Sequence, residues 1–205
     1  MPKLKNSAAA LAAIITLAGA TAQAQTQGQG PSQNQDGPIV TGARSAETAD
    51  ALKVREAMAY ARPLPRGAPT QDYPLVAWCD ALVTGHADLG ESLTDHSPED
   101  LELVRLGRLE AQDFRSALAA AEPRQTAATK AAAQQAAASA KAQWAALLAT
   151  QDEAARSQSF GLFYGLPGRC EHAARRIRAN ITTPPATLAD VGLTETGAPA
   201  TAAPN

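Results

Sequence analysis

The chain has 205 residues with 18 basic and 20 acidic side chains, a formal charge of −2. A balance this mild lacks the electrostatic footprint of a nucleic-acid or membrane-surface binder. Aromatic residues make up only 4% of the chain, so any core is short of bulky side chains.

Residues 1–24 read as a secretory signal peptide. Lys3 and Lys5 form the basic start, Ala8–Ala20 is uncharged and apolar, and Ala22-Gln23-Ala24 offers small residues for cleavage between Ala24 and Gln25. The apolar run falls short of the roughly 20 residues a bilayer-spanning helix requires, so cleavage is expected rather than anchoring. No cysteine stands at the cleavage site to accept a lipid, and no later run is apolar enough to span. Cleavage leaves 181 residues with a formal charge of −4, because the leader carries two lysines and no acid. The heavy use of alanine suggests a GC-rich bacterial genome, which makes the expected destination the periplasm, or release beyond it.

Gln25 to Pro38 contains almost nothing to bury, and residues 25–44 are expected to be disordered or extended. Within them, Pro38-Ile39-Val40-Thr41-Gly42-Ala43-Arg44 resembles the Val-Thr-Gly-x-Arg segment near the start of the plug in TonB-dependent receptors. The resemblance covers seven residues, and a chain this short and helical cannot form such a receptor's barrel. It implies only an extended tether able to add a strand to a partner.

Residues 45–181 read as one all-α domain, an elongated antiparallel bundle of about five helices. Ser45 can cap a first helix running to about Ala61, with Leu52, Arg55, Met58 and Ala59 on one face. Pro63, Pro65 and Pro69 end it. A second helix opens at Asp72 and Pro74 and carries Leu75, Cys79, Leu82, His86, Leu89 and Leu93 at alternating spacings of four and three, the seam of a helix packed along its length. Val76 and Val83 widen that stripe, while Asp80, Asp88, Glu91 and Asp95 read as its wet face. Ser97-Pro98-Glu99-Asp100 is a strong helix start. The third helix has Leu103, Leu106, Phe114, Ala117 and Leu118 on one side, with Arg105, Arg108, Gln112 and Arg115 on the other, and Pro123 kinks or ends it. From Arg124 to Arg156 alanine dominates, so one long helix of roughly 50 Å is expected. Ser159–Gly168 breaks the pattern with Phe160, Phe163 and Tyr164, and a last helix runs from about Arg169 to Ile181. Residues 182–205 read as a disordered tail.

The chain has two cysteines, each on a helix seam. In an oxidising compartment an even count favours a structural Cys79–Cys170 disulfide over two unpaired buried thiols. The spacing is not Cys-x-x-Cys, which argues against a redox-active pair. His86 is expected to be a hydrogen-bonded core histidine and His96 a solvated one. His172 shares a Cys-x-His triplet with Cys170, but too few further ligands exist for a zinc site. No Gly-x-Ser-x-Gly elbow, His-Glu-x-x-His, Cys-x-x-Cys-His, Gly-x-Gly-x-x-Gly or phosphate-binding loop occurs. No catalytic residue, metal or cofactor is therefore nominated.

Two features remain. Arg105, Arg108 and Arg115, together with Arg175, Arg176 and Arg178, either meet an anionic partner or pair with carboxylates of this chain, as Glu102 and Arg105 can at a three-residue spacing. Trp144, Phe160, Phe163 and Tyr164 either plug one end of the bundle or line a cavity. The expected function is a non-catalytic interaction or structural role in the periplasm with an envelope protein as partner. The alternative is a small apolar-ligand carrier using a cavity near Trp144.

Overall fold

A computed structural model describes residues 47–163 and 165–194. The leader, the 25–44 segment with its receptor-like stretch, Ser45, Tyr164 and residues 195–205 lie outside the described residues. The rest is all helical: α1 (Ala49–Ala61), α2 (Asp72–Glu91), α3 (Pro98–Ala121), α4 (Ala127–Ala149), α5 (Glu153–Gly161) and α6 (Arg169–Arg178), with single 3₁₀ turns at Glu122–Arg124 and Ala189–Val191.

Helix α2 is the axis of the bundle, because its sequence is apolar almost all round. The seam residues Leu75, Cys79, Leu82, His86 and Leu89 are buried, and so are Ala77, Trp78, Ala81, Gly85, Ala87 and Gly90 on its other sides. A helix of this kind must be surrounded, and α3, α4, α5 and α6 all pack on it. Arg108 reaches Asp88 and Glu91 whereas Arg115 reaches Asp80, so α3 runs antiparallel to α2. Trp144 lies over Gly85 and Ala136 near Pro74, which makes α4 parallel to it. Cys170 meets Cys79 and Arg176 meets Asp72, so α6 is antiparallel.

Small residues set these contacts. Ala133, Ala136, Ala140 and Trp144 form the buried stripe of α4. A methyl group added at Gly85 would sit 2.1 Å from Cδ1 of Trp144 and 2.7 Å from its Nε1. The indole ring is flat and rigid, so α4 itself would have to retreat. Gly85→Ala should therefore cost about 2 kcal/mol, the overpacking strain exceeding the roughly 1 kcal/mol of helix propensity gained. Urea denaturation should show a lower midpoint at unchanged slope, and an unchanged midpoint would contradict the contact.

In α3 the buried positions are Val104, Gly107, Ala111, Phe114, Ala117 and Ala121, while Leu103 is exposed and Leu106 and Leu118 are partly covered. The leucine-based reading of this helix is corrected because close approach selects small residues: a Cβ on Gly107 would stand 3.5 Å from Val83. The start of α3 is as expected. Ser97 Oγ accepts from the Asp100 amide at 3.1 Å, and the Asp100 carboxylate accepts from the Ser97 amide at 2.9 Å. Ser97→Ala removes one arm of this capping box and should cost about 1 kcal/mol, read as a lower thermal midpoint.

Four further expectations change. The buried residues of α1 are Glu56 and Ala57, Met58 is exposed, and the cap is Thr48. Periodicity could not place a buried glutamate, because its partner lies 120 residues away. The alanine-rich segment is two helices, not one of 50 Å. Asp152 caps α5 by accepting from the Ala155 amide at 3.1 Å, and Thr150 accepts from the Asp152 amide at 3.1 Å. These side-chain acceptors compete with helix propagation, so the chain turns and α5 folds back onto α2. That raises the helix count from about five to six. Finally, order continues past Thr182: the Asp190 carboxylate accepts from both the amide and the hydroxyl of Thr187 at 2.8 Å, and Lys53 donates to the Asp190 carbonyl at 3.3 Å. These local bonds, with Leu188, Val191 and Leu193 partly buried, hold residues 182–193 against the bundle.

Candidate functional site

Three side-chain groupings carry whatever specific chemistry the described residues offer. The first surrounds His86. Its ring stacks on Phe160 and on Phe163, each at 4.4 Å between centroids, with Trp144 at 5.9 Å and tilted. Trp144 meets Phe163 edge-on at 5.7 Å. The imidazole Nε2 lies 3.0 Å from the Phe160 carbonyl, which accepts from it and so secures the α5 end to α2. Burial pushes the His86 pKa below its ordinary value, so the ring stays neutral. Trp144, Phe160 and Phe163 are thus brought together, with His86 between them. Two open clefts of about 370 and 390 Å³ lie elsewhere, around Gln71–Pro74 at the start of α2.

The second grouping is the Cys79–Cys170 disulfide, with Cα atoms 6.1 Å apart and both residues almost fully buried. It joins the middle of α2 to the first turn of α6. The seams met where the sequence placed them.

The third is ionic. Arg105 pairs with Glu102, Arg108 with Asp88 and Glu91, Arg115 with Asp80, and Arg178 with Asp113. Arg175 and Arg176 share Glu56, and Arg176 also holds Asp72 and donates to the Thr183 carbonyl. Every arginine of the two sequence clusters therefore faces a carboxylate of its own chain, and Asp80, Asp88 and Glu91 of the wet face of α2 are the partners of α3. The Arg108 guanidinium holds the Glu91 carboxyl below the usual range.

Sequence reading passed over Glu56 and Tyr60 and placed Asp72 only at the start of the second helix, yet the three complete the contact between α1, α2 and α6. Tyr60 donates to Asp72 at 2.7 Å, and the Arg169 guanidinium lies 4.3 Å from the Tyr60 ring centroid. Burial, then the bond to Asp72, raises the Tyr60 pKa, so the phenol remains protonated. Nothing local marks these residues; only the docking of α1 joins them.

Two further titratable groups lie along α6, His172 where α1 docks on it and Glu110 where α3 does. His172 is buried, which lowers its pKa, and its Nδ1 has no protein partner. Glu110 on α3 is partly buried and faces Glu171 and Asp113; burial first, then these like charges, push its pKa up to about 7. His96 is exposed, as expected, and the Gly90 carbonyl accepts from its Nε2 at 2.8 Å. It satisfies one of the carbonyls left open at the end of α2. Among the described residues no three His, Cys, Asp or Glu side chains converge as a metal site.

Fold and side-chain groupings define a disulfide-stapled helical bundle centred on a single apolar helix. No family model matches the chain, and no curated protein or solved structure matches it either.

Proposed function

We propose that this is an exported component of the bacterial periplasm that acts through its surface, as a structural or interaction protein with an envelope partner. The observation that carries the reading is the buried disulfide: such a bond forms and persists in oxidising compartments, and it agrees with the leader-like start of the sequence. No helix among the described residues is long and apolar enough to cross a membrane. Support for a surface role comes from α4, whose outward side is mostly alanine with Gln134, Gln135 and Gln143, only Lys130 and Lys141 as charges, and the exposed Leu148 near its end. A face with so little bulk lets another backbone approach closely.

Photo-crosslinking probes at Ala131, Ala138 and Leu148 in intact cells test this. An envelope protein crosslinked at one face of α4, together with a periplasmic chain beginning at Gln25, is the expected result. An unclipped chain in the cytosol, or crosslinks to no protein at all, ends the proposal. The carrier alternative makes a separate demand: one small apolar compound at 100 times its dissociation constant should add about 2.7 kcal/mol to the unfolding free energy, read as a higher unfolding temperature.

A further inference from the structure

We propose that α1 is a releasable strap whose Glu56 carboxylate occupies an arginine pair on α6, Arg175 and Arg176, in the place of a carboxylate from an acidic segment of a partner protein. The carboxylate bridges two guanidinium groups, one oxygen to each: Oε2 to Arg175 at 3.1 Å and Oε1 to Arg176 at 3.0 Å. An acid is thus buried at the centre of the α1 contact, where an apolar residue would serve a permanently docked helix. The apolar contribution is small. Ala57 is the only apolar residue of α1 that is fully covered, Leu52 and Val54 are partly covered, and Met58 is 42% exposed.

The remaining fastenings are polar: Arg55 to Glu171 at 2.7 Å, Tyr60 to Asp72 at 2.7 Å, the Arg169 guanidinium over the Tyr60 ring, and Lys53 to the Asp190 carbonyl. Ion pairs at such partly exposed positions are weak and screened by salt. The rest of the fold does not depend on them. Beyond Arg62, which is extended and followed by Pro63, Leu64 and Ala68 pack against the core, so a pivot at Arg62–Pro63 frees α1 without disturbing α2. Helix α6 stays in place through the disulfide and the Arg178–Asp113 pair. The 3₁₀ turn Ala189–Val191, which lies against α1, moves with it.

Release leaves Arg175 without its carboxylate and Arg176 with Asp72 and the Thr183 carbonyl, beside Arg169 stripped of the Tyr60 ring. That surface accepts a glutamate or aspartate side chain in the geometry Glu56 already displays. The choice of an acidic protein segment rests on the interaction reading above; the strap itself does not.

Hydrogen exchange on the full chain at low and high salt tests the strap. Amides of 51–61 should exchange at least about tenfold faster than those of α2 and α6, and faster again at high salt. Glu56→Gln should reach the high-salt rate at low salt. An oligo-glutamate peptide should then bind the Glu56→Gln chain roughly tenfold tighter than the unaltered one and slow exchange in α6, an effect lost in Glu56→Gln/Arg175→Gln. If circular dichroism shows Glu56→Gln unfolded, Arg55→Gln takes its place in the exchange measurement, and the peptide is tested on the unaltered chain against Arg175→Gln at low salt. Exchange of α1 only as slow as α2 at every salt concentration overturns the strap, and peptide binding that ignores Glu56 and Arg175 overturns the arginine pair. Failure to crosslink a native partner would defeat the interaction reading while leaving the exchange result untouched.

Discussion

Replacing Cys79 and Cys170 together by alanine should lower the unfolding free energy by about 4 to 5 kcal/mol, the largest effect of any small change to this protein. The bond spans 91 residues, so it removes most of the conformations available to the central part of the unfolded chain. The core it reinforces is poor in bulk: many of its fully buried side chains are alanines, and Phe114, Leu75 and Leu89 head the larger ones. Against a typical total of roughly 5 to 15 kcal/mol, the loss brings the bundle close to unfolding at growth temperature. Urea denaturation of the oxidised chain against the double variant measures it. A loss below about 1 kcal/mol would mean that the unfolded chain is not constrained by the bond. Thiol labelling of the unfolded, unreduced protein should modify neither cysteine.

Glu110→Gln should stabilise the protein at pH 8 by on the order of 3 kcal/mol and leave it nearly unchanged at about pH 4. The folded pKa of about 7 lies above the ordinary 4.5, so it is charging this carboxyl that opposes folding. The penalty is absent below the unfolded value, grows as pH rises from there, and is complete above the folded value. Burial is the main cause, with the charges of Glu171 and Asp113 adding to it. His86 and His172 act in the opposite direction: burial lowers their pKa values, so they cost stability only as pH falls below the ordinary histidine range. Comparing the two proteins at each pH cancels the histidines. Equal unfolding free energies at pH 8 would place the Glu110 carboxyl in water.

The interaction network of α2 with α6 was legible because both helices carry a four-three seam with a cysteine on it, and a repeat of that kind has one economical partner. Phe160 and Phe163 were legible as packing residues because a chain with few aromatics buries those it has. Their stacking on His86 was not, since a seam histidine reads the same whether its neighbours are aliphatic or aromatic. In α3 the same kind of reasoning misled. Leucines were assigned to the core where Gly107 and Ala111 take it, because a sequence displays size and polarity but not how near two backbones come.

Local chemistry determined what the sequence decides by itself: an all-helical chain, the cap at Ser97, the breaks at Pro63 and Pro123, and an apolar α2. These depend on backbone propensity and on bonds between residues a few positions apart, which are written consecutively in the chain. Tertiary structure alone decided that Glu56 lies against Arg175 and Arg176, that Arg108, Arg115 and Arg178 meet carboxylates of neighbouring helices, and that Glu110 is driven toward neutrality. Each of those depends on a distance between segments far apart in sequence, and electrostatic energy is set by that distance and by the water removed from between the groups.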